Sequence, residues 1–175
     1  APRHGKNILP GLWDIGQAVE KHCVMEIEYL KMDGTATNRV VEPVGLMFSE
    51  YYFYLVAFVR NEPYTSYFKK KKTLMPAIYR IDRIQKFTVT EEYFTPAYVD
   101  RFQEGEFRKR VQFMYGGKLN CVKFKYVGPS IEAVLDRLPT AEIIGQDDEG
   151  WFVEAEVFGT GIDMWLRSQG GYVKL

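Results

Sequence analysis

Apolar positions along this chain change period several times, and each change marks an element. After Pro10, Leu12, Ile15, Ala18 and Val19 recur at three- and four-residue spacing up to about Lys21. That pattern predicts a helix with one apolar face and a proline in its first turn. Met25, Ile27 and Tyr29 then alternate with Glu26 and Glu28, the period of a strand with one wet face. Asp33-Gly34 predicts a tight turn, so residues 35–42 should return antiparallel. Pro43 punctuates, residues 44–48 read as a third strand, and Ser49-Glu50 turns into residues 51–59. That stretch is apolar on both faces, which predicts a central strand. Residues 77–81 and 86–90 supply one or two more. One helix followed by about five short antiparallel strands predicts a small, strongly bent sheet or partly closed barrel.

Residues 91–117 mix charges with scattered aromatics, and Val99, Phe102, Phe107, Val111 and Met114 are only roughly helical in spacing, which predicts a partly helical linker. Beyond it the pattern sharpens. Val122, Phe124 and Tyr126 alternate with Lys123 and Lys125, and Ser130 is placed to cap a helix carrying Ile131, Val134, Leu135 and Leu138, stopped by Pro139. Residues 141–146 and 151–158 predict a hairpin around Asp147-Asp148-Glu149-Gly150, residues 162–168 a second helix, and residues 172–175 a last strand. The order β-α-β-β-α-β is that of a ferredoxin-like split βαβ unit. The chain thus reads as α+β: a tail over 1–10, a small barrel domain over 11–95, a linker over 96–117 and a ferredoxin-like unit over 118–175.

Composition sets bounds. With 46% apolar and 15% aromatic residues in 175, a real core is available and wholesale disorder is excluded. The net charge is zero but unevenly spread, because residues 60–86 carry eight Lys or Arg against two acids. One basic segment is therefore the electrostatic feature of the chain. Cys23 and Cys121 show no metal or redox spacing and read as free thiols. No apolar run approaches the roughly 20 residues of a spanning helix and no signal peptide opens the chain, so the expectation is a soluble, cytoplasmic protein without a membrane partner. Residues 1–7 read as a tail or a boundary, consistent with a fragment of something longer.

Candidate chemistry is sparse. Hydrolysis needs a nucleophile with a base, paired carboxylates or a metal, yet the only histidines are His4 in the tail and His22 at a helix end. Gly159-Thr160-Gly161 lacks the third glycine of a dinucleotide fingerprint, since Met164 stands there. Glu26 with Glu28, and Glu154 with Glu156, sit where strands face water. No catalytic residue, metal ligand or cofactor is expected. The basic segment is different. Arg80 and Arg83 stay charged and offer planar forks that suit phosphate. On an extended strand they would face opposite ways; a turn near Asp82 would bring them to one side. Arg39 and Arg60 join them if register allows, and Tyr29, Tyr54 and Tyr79 offer faces for stacked bases. Two alternatives stay open: most Tyr and Phe are core, and Arg83 pairs with Asp82 or a neighbouring acid. The run Lys69 to Lys72, beside Tyr64, Tyr67 and Phe68, reads either as a solvated loop or as a nucleic-acid contact.

Phe53-Tyr54-Leu55 resembles the tripeptide that names the WYL domain, with Phe in place of the first Trp. Ile27-Glu28-Tyr29, Arg39-Val40-Val41-Glu42-Pro43, Tyr54-Leu55-Val56-Ala57 and Tyr79-Arg80-Ile81-Asp82-Arg83-Ile84 follow the surrounding pattern in order. Trp165-Leu166-Arg167-Ser168-Gln169-Gly170 resembles the C-terminal extension that follows such domains. The resemblance implies an Sm-like, SH3-like barrel in a bacterial transcriptional regulator, sensing a nucleic acid or nucleotide effector, with a helix-turn-helix that is not in this chain. It carries the ligand role onto Tyr54, Arg80 and Arg83, and onto Tyr29 and Arg39. The insertion over residues 61–75 departs from the family pattern and bears on access to the pocket. The expectation is a ligand-sensing region that forms homodimers; the alternative is an assembly module whose basic patch pairs with a partner subunit.

Overall fold

Pro10, fixed in φ and lacking an amide proton, opens the first element of the computed structural model, helix α1 (Leu9–Lys21). Its buried stripe is the predicted one: Ile15 and Ala18 are covered, with Leu12 and Val19 packed beside them. His22 ends the helix in the left-handed conformation, and the chain turns at once into strand. The structure describes residues 7–60, 66–68, 71–72, 76–95 and 104–175. The chain divides into two units, Ala1–Phe102 and Gln103–Leu175.

In the first unit the strands are β1 (Cys23–Leu30), β2 (Ala36–Ser49), β3 (Tyr52–Val59), β4 (Ser66–Phe68), β5 (Lys71–Lys72), β6 (Ala77–Arg80) and β7 (Ile84–Tyr93). Five of them form one antiparallel sheet in the order β6-β3-β2-β1-β7, and β4 pairs with β5. Asp33 makes the tight turn between β1 and β2, its Oδ1 accepting the Thr35 amide at 2.9 Å and the Thr35 hydroxyl at 2.6 Å. The two strands predicted on either side of Pro43 are a single strand of 14 residues. The ladder to β3 shifts register between Pro43 and Gly45, so the residue without an amide proton sits at a bulge that asks for none. β3 is flanked on both sides, as its apolar sequence requires. Alternate residues of β1 and β3 (Met25, Ile27, Leu55, Ala57) meet α1 in one core with Val41, Tyr79, Ile81 and Ile84.

Among the described residues the sheet is open: β6 and β7 are its edges and no ladder joins them. The partly closed barrel of the sequence reading is therefore seen only as a bent five-stranded sheet. The bend itself is unavoidable, because only the three residues Ile81–Arg83 connect the two edges. At about 4.8 Å per strand spacing, four spacings exceed what a three-residue connection at about 3.4 Å per residue spans across a flat sheet. The lysine run falls partly outside the described residues, as do most of residues 61–75, the tail over 1–6 and residues 96–103 of the expected linker.

The second unit begins with α2 (Glu104–Arg110), whose Phe107 packs against Phe158 with ring centroids 5.5 Å apart. There follow β8 (Leu119–Tyr126), α3 (Glu132–Arg137), β9 (Ala141–Asp147), β10 (Gly150–Phe158), α4 (Gly161–Ser168) and β11 (Val173–Lys174). The sheet order is β11-β8-β10-β9, all antiparallel. Local chemistry explains the joints. Ser130 Oγ accepts the Glu132 amide at 3.3 Å where α3 begins, and Asp147 Oδ1 accepts the amides of Glu149 and Gly150, both at 3.0 Å, in the β9–β10 turn. Phe124, Tyr126, Val153, Ala155 and Val157 build the core with Leu138, Ile162, Trp165 and Leu166 from the segments around α3 and α4.

Candidate functional site

The alternation of β3 sends Phe53 and Leu55 toward the core and leaves Tyr52 and Tyr54 on the opposite face. Tyr54 lies directly across from Arg80, the last residue of β6, so the two side chains share that face. β6 stops there because the next residues form a 3₁₀ turn. Ile81 and Ile84, three residues apart, are both buried by it, which matches a helix with three residues per turn. The apolar spacing thus forces the turn, and the turn brings Asp82 back beside Arg80.

Arg80 is held on two sides. Its Nε and Nη2 donate to the two carboxylate oxygens of Asp82 at 3.0 and 2.6 Å, and its Cζ lies 3.6 Å from the centre of the Tyr52 ring. The Asp82 side chain is 6% exposed and that of Arg80 25% exposed, so this is a sheltered pair in which Arg80 is the member that solvent reaches. The hydrogen bonds it donates to Asp82 hold the guanidinium above its ordinary pKa, outweighing the cost of partial burial. Partial burial pushes the Tyr54 phenol up, with Arg80 pulling the other way, so Tyr54 stays a neutral hydroxyl at physiological pH. From beneath, the Arg80 amide donates to the Tyr29 hydroxyl at 3.4 Å. The arrangement presents a flat cation backed by an aromatic ring. It holds no nucleophile with an adjacent base.

The predicted residues separate into groups. Arg80 and Tyr54 come together, and Arg83 stands at the far end of the same turn. Arg83 is partly exposed and makes no side-chain hydrogen bond or ion pair among the described residues. Asp82 pairs with Arg80, which answers the alternative that it serves Arg83. Tyr79 is buried and packs edge-on to Tyr29 at 5.0 Å, so these two rings support the site from the core. Arg60 is committed elsewhere: it donates to both oxygens of Glu92 at 2.7 Å and lies 3.2 Å from Glu42. Arg39, opposite Ile27, lines a separate cleft of about 480 Å³ with Glu26, Glu28, Asn38 and Lys86. Tyr52 and Asp82 complete the site and were not predicted as part of it. Their signal was local, since each stands two residues from a chosen one and Tyr52 shares a strand face with Tyr54. Among the described residues no three His, Cys, Asp or Glu side chains gather to hold a metal ion, and no helix is long and apolar enough to cross a membrane.

The pattern of the WYL domain matches residues 12–89, the span that holds every residue of this site. No curated protein matches the sequence. Sixteen chains of solved structures do. One, described as a CRISPR Cas-related protein, is 14% identical with a TM-score of 0.54, over 91% of this chain and 44% of that one. Another is the proteasome accessory factor B/C (PafBC) of Arthrobacter aurescens, 17% identical with a TM-score of 0.40, over 99% of this chain and 24% of that one. The first similarity shows a shared fold; the second is too distant to carry more. This chain spans less than half the length of either.

Proposed function

With residues 12–89 forming a WYL domain, we propose that this chain is the ligand-sensing and oligomerising part of a bacterial transcriptional regulator. Its first unit binds a single-stranded nucleic acid or nucleotide effector where β6 gives way to the 3₁₀ turn. The observation that carries this reading is the Arg80 guanidinium, held flat over Tyr52 by Asp82 beside Tyr54, with Arg83 following in the same turn. Guanidinium and aromatic surfaces at one place are how proteins hold unpaired bases and their phosphates. We read the bent first sheet as Sm-like, and the second unit, with its order β11-β8-β10-β9, as ferredoxin-like. Ile143 and Ile144, exposed on the edge strand β9, support a role for that unit in homodimer formation. An effector that prefers one arrangement of the protein shifts the population toward it, which is all that sensing requires. The protein works in the cytoplasm, without a cofactor and without turning its effector over.

The alternative, an assembly module whose arginines pair with acids of a partner subunit, draws less support. Arg60 and Arg80 already have carboxylates within the chain. The test is a titration of labelled single-stranded oligonucleotides into the protein, followed by anisotropy at several salt concentrations, with Arg80→Ala/Arg83→Ala alongside. Affinity that falls with salt and is lost in the double variant is the expected result. Equal binding by the variant moves the site elsewhere, and no binding even at low salt contradicts the reading.

A further inference from the structure

Within that reading, we propose that the two arginines divide the ligand between them: Arg80 is a stacking plate for a nucleobase, and Arg83 takes the phosphate. Both were expected to grip phosphate, and the geometry at Arg80 argues otherwise. The Nε–Nη2 edge of its fork, the edge that would hold a phosphate bidentately, is filled by both oxygens of Asp82. One face of the plane is covered by Tyr52 at 3.6 Å. What remains is the opposite face and Nη1, which makes no hydrogen bond among the described residues.

Charge points the same way. Arg80 and Asp82 together are neutral, and a carboxylate against the guanidinium repels an arriving phosphate. Displacing Asp82 would break both hydrogen bonds of a pair whose carboxylate side chain is only 6% exposed. A delocalised, weakly hydrated guanidinium offered face-on is a surface on which bases stack. Asp82 and Tyr52 are then positioning residues that fix the plane of Arg80. Arg83, without an internal carboxylate among the described residues, keeps its full charge for a phosphate.

The test uses the whole protein and two labelled 12-nucleotide strands, one of thymidines and one abasic, which carries the same phosphates without bases. Loss of one stacked base costs about 5- to 150-fold in affinity. Arg80→Lys keeps the charge and removes the plane, so it should weaken thymidine binding by that order and leave abasic binding unchanged. Tyr52→Leu should act in the same direction. Arg83→Ala should weaken both strands equally and flatten the salt dependence by about 0.7 in log–log slope. Arg80→Lys weakening both strands alike overturns the division, whether through a phosphate contact or through damage to the fold. So does wild-type binding that ignores the bases, although the effector reading survives that result. If neither strand binds the wild type at low salt, both readings fail.

Discussion

The two units of this protein hold their cations differently, although Arg60 of the first is paired with Glu42 and Glu92 much as the cations of the second are with their acids. In the second unit each cation of the open face has an acid beside it. Lys123 lies across from Glu154 at 3.4 Å, Lys125 meets Asp147 at 2.7 Å and Glu149 at 2.9 Å, and Lys174 meets Glu149 at 3.2 Å. Arg110 of α2 is shared between Glu106 at 2.7 Å and Glu156 at 3.0 Å. On that face the cations are paired within the unit. In the first unit one arginine at a strand end is laid flat on an aromatic ring, and the next, in the turn, has no acid among the described residues. A count of basic residues does not separate these situations. What separates them is how the cation is held: Lys125 sits between two acids with the Phe152 ring centre 5.3 Å away, whereas Arg80 stacks on Tyr52 at 3.6 Å with one acid along its edge.

The two units own separate cores, and damage to one should stay within it. Leu55 and Leu138, buried in different clusters, should each cost about 2–5 kcal/mol when changed to alanine. Amide hydrogen exchange should speed up chiefly in the sheet of the unit that carries the change. Equal acceleration in both sheets would mean that they share one cooperative core. A smaller effect is expected at Gly150. A β-carbon there would overlap the backbone carbonyl of Tyr126, so Gly150→Ala should cost about 1–3 kcal/mol. A thermal melt should register it, with the oligonucleotide site of the first unit intact.

Acid should then weaken the second unit. Hydrogen bonds from Lys109, Lys125 and Cys121 hold Glu106, Asp147, Glu149 and Glu154 of the second unit below the ordinary carboxylate range. In the first unit Glu92, held down by Arg60, and Asp33, held down by Thr35, behave likewise. A carboxyl group with a lowered pKa lends stability that is complete above its ordinary value and lost as pH falls through the lowered one. Below about pH 4 the second unit should therefore lose stability. Residue-resolved exchange at pH 7 and pH 3 measures this, and unchanged protection in its sheet would contradict it. The smallest effect belongs to Lys123→Ala. Its pair with Glu154 is exposed and screened, so the melting temperature should stay within error.

Much of this architecture was legible because it rests on short-range chemistry. Pro10, the alternation of Met25, Ile27 and Tyr29, the Asp33-Gly34 turn and the βαββαβ succession all act within a few residues. Pro43 misled because a proline before a bulge and a proline between strands look alike without the partner strand. Arg60 looked available for the same reason: Glu42 sits on the paired strand β2 and Glu92 on the edge strand β7, neither of them near it in sequence. Tyr52 and Asp82 were within reach of period-two reasoning on β3 and of the turn itself. What was missing was the register that sets Tyr54 opposite Arg80.

Backbone amide shift mapping by NMR, with a short single-stranded oligonucleotide added to the isotope-labelled protein, locates the binding site. Shifts should concentrate at residues 52–54 and 80–84, with β8 and β10 unmoved. Shifts along β8 and β10 with none at Arg80 and Tyr54 would contradict that placement.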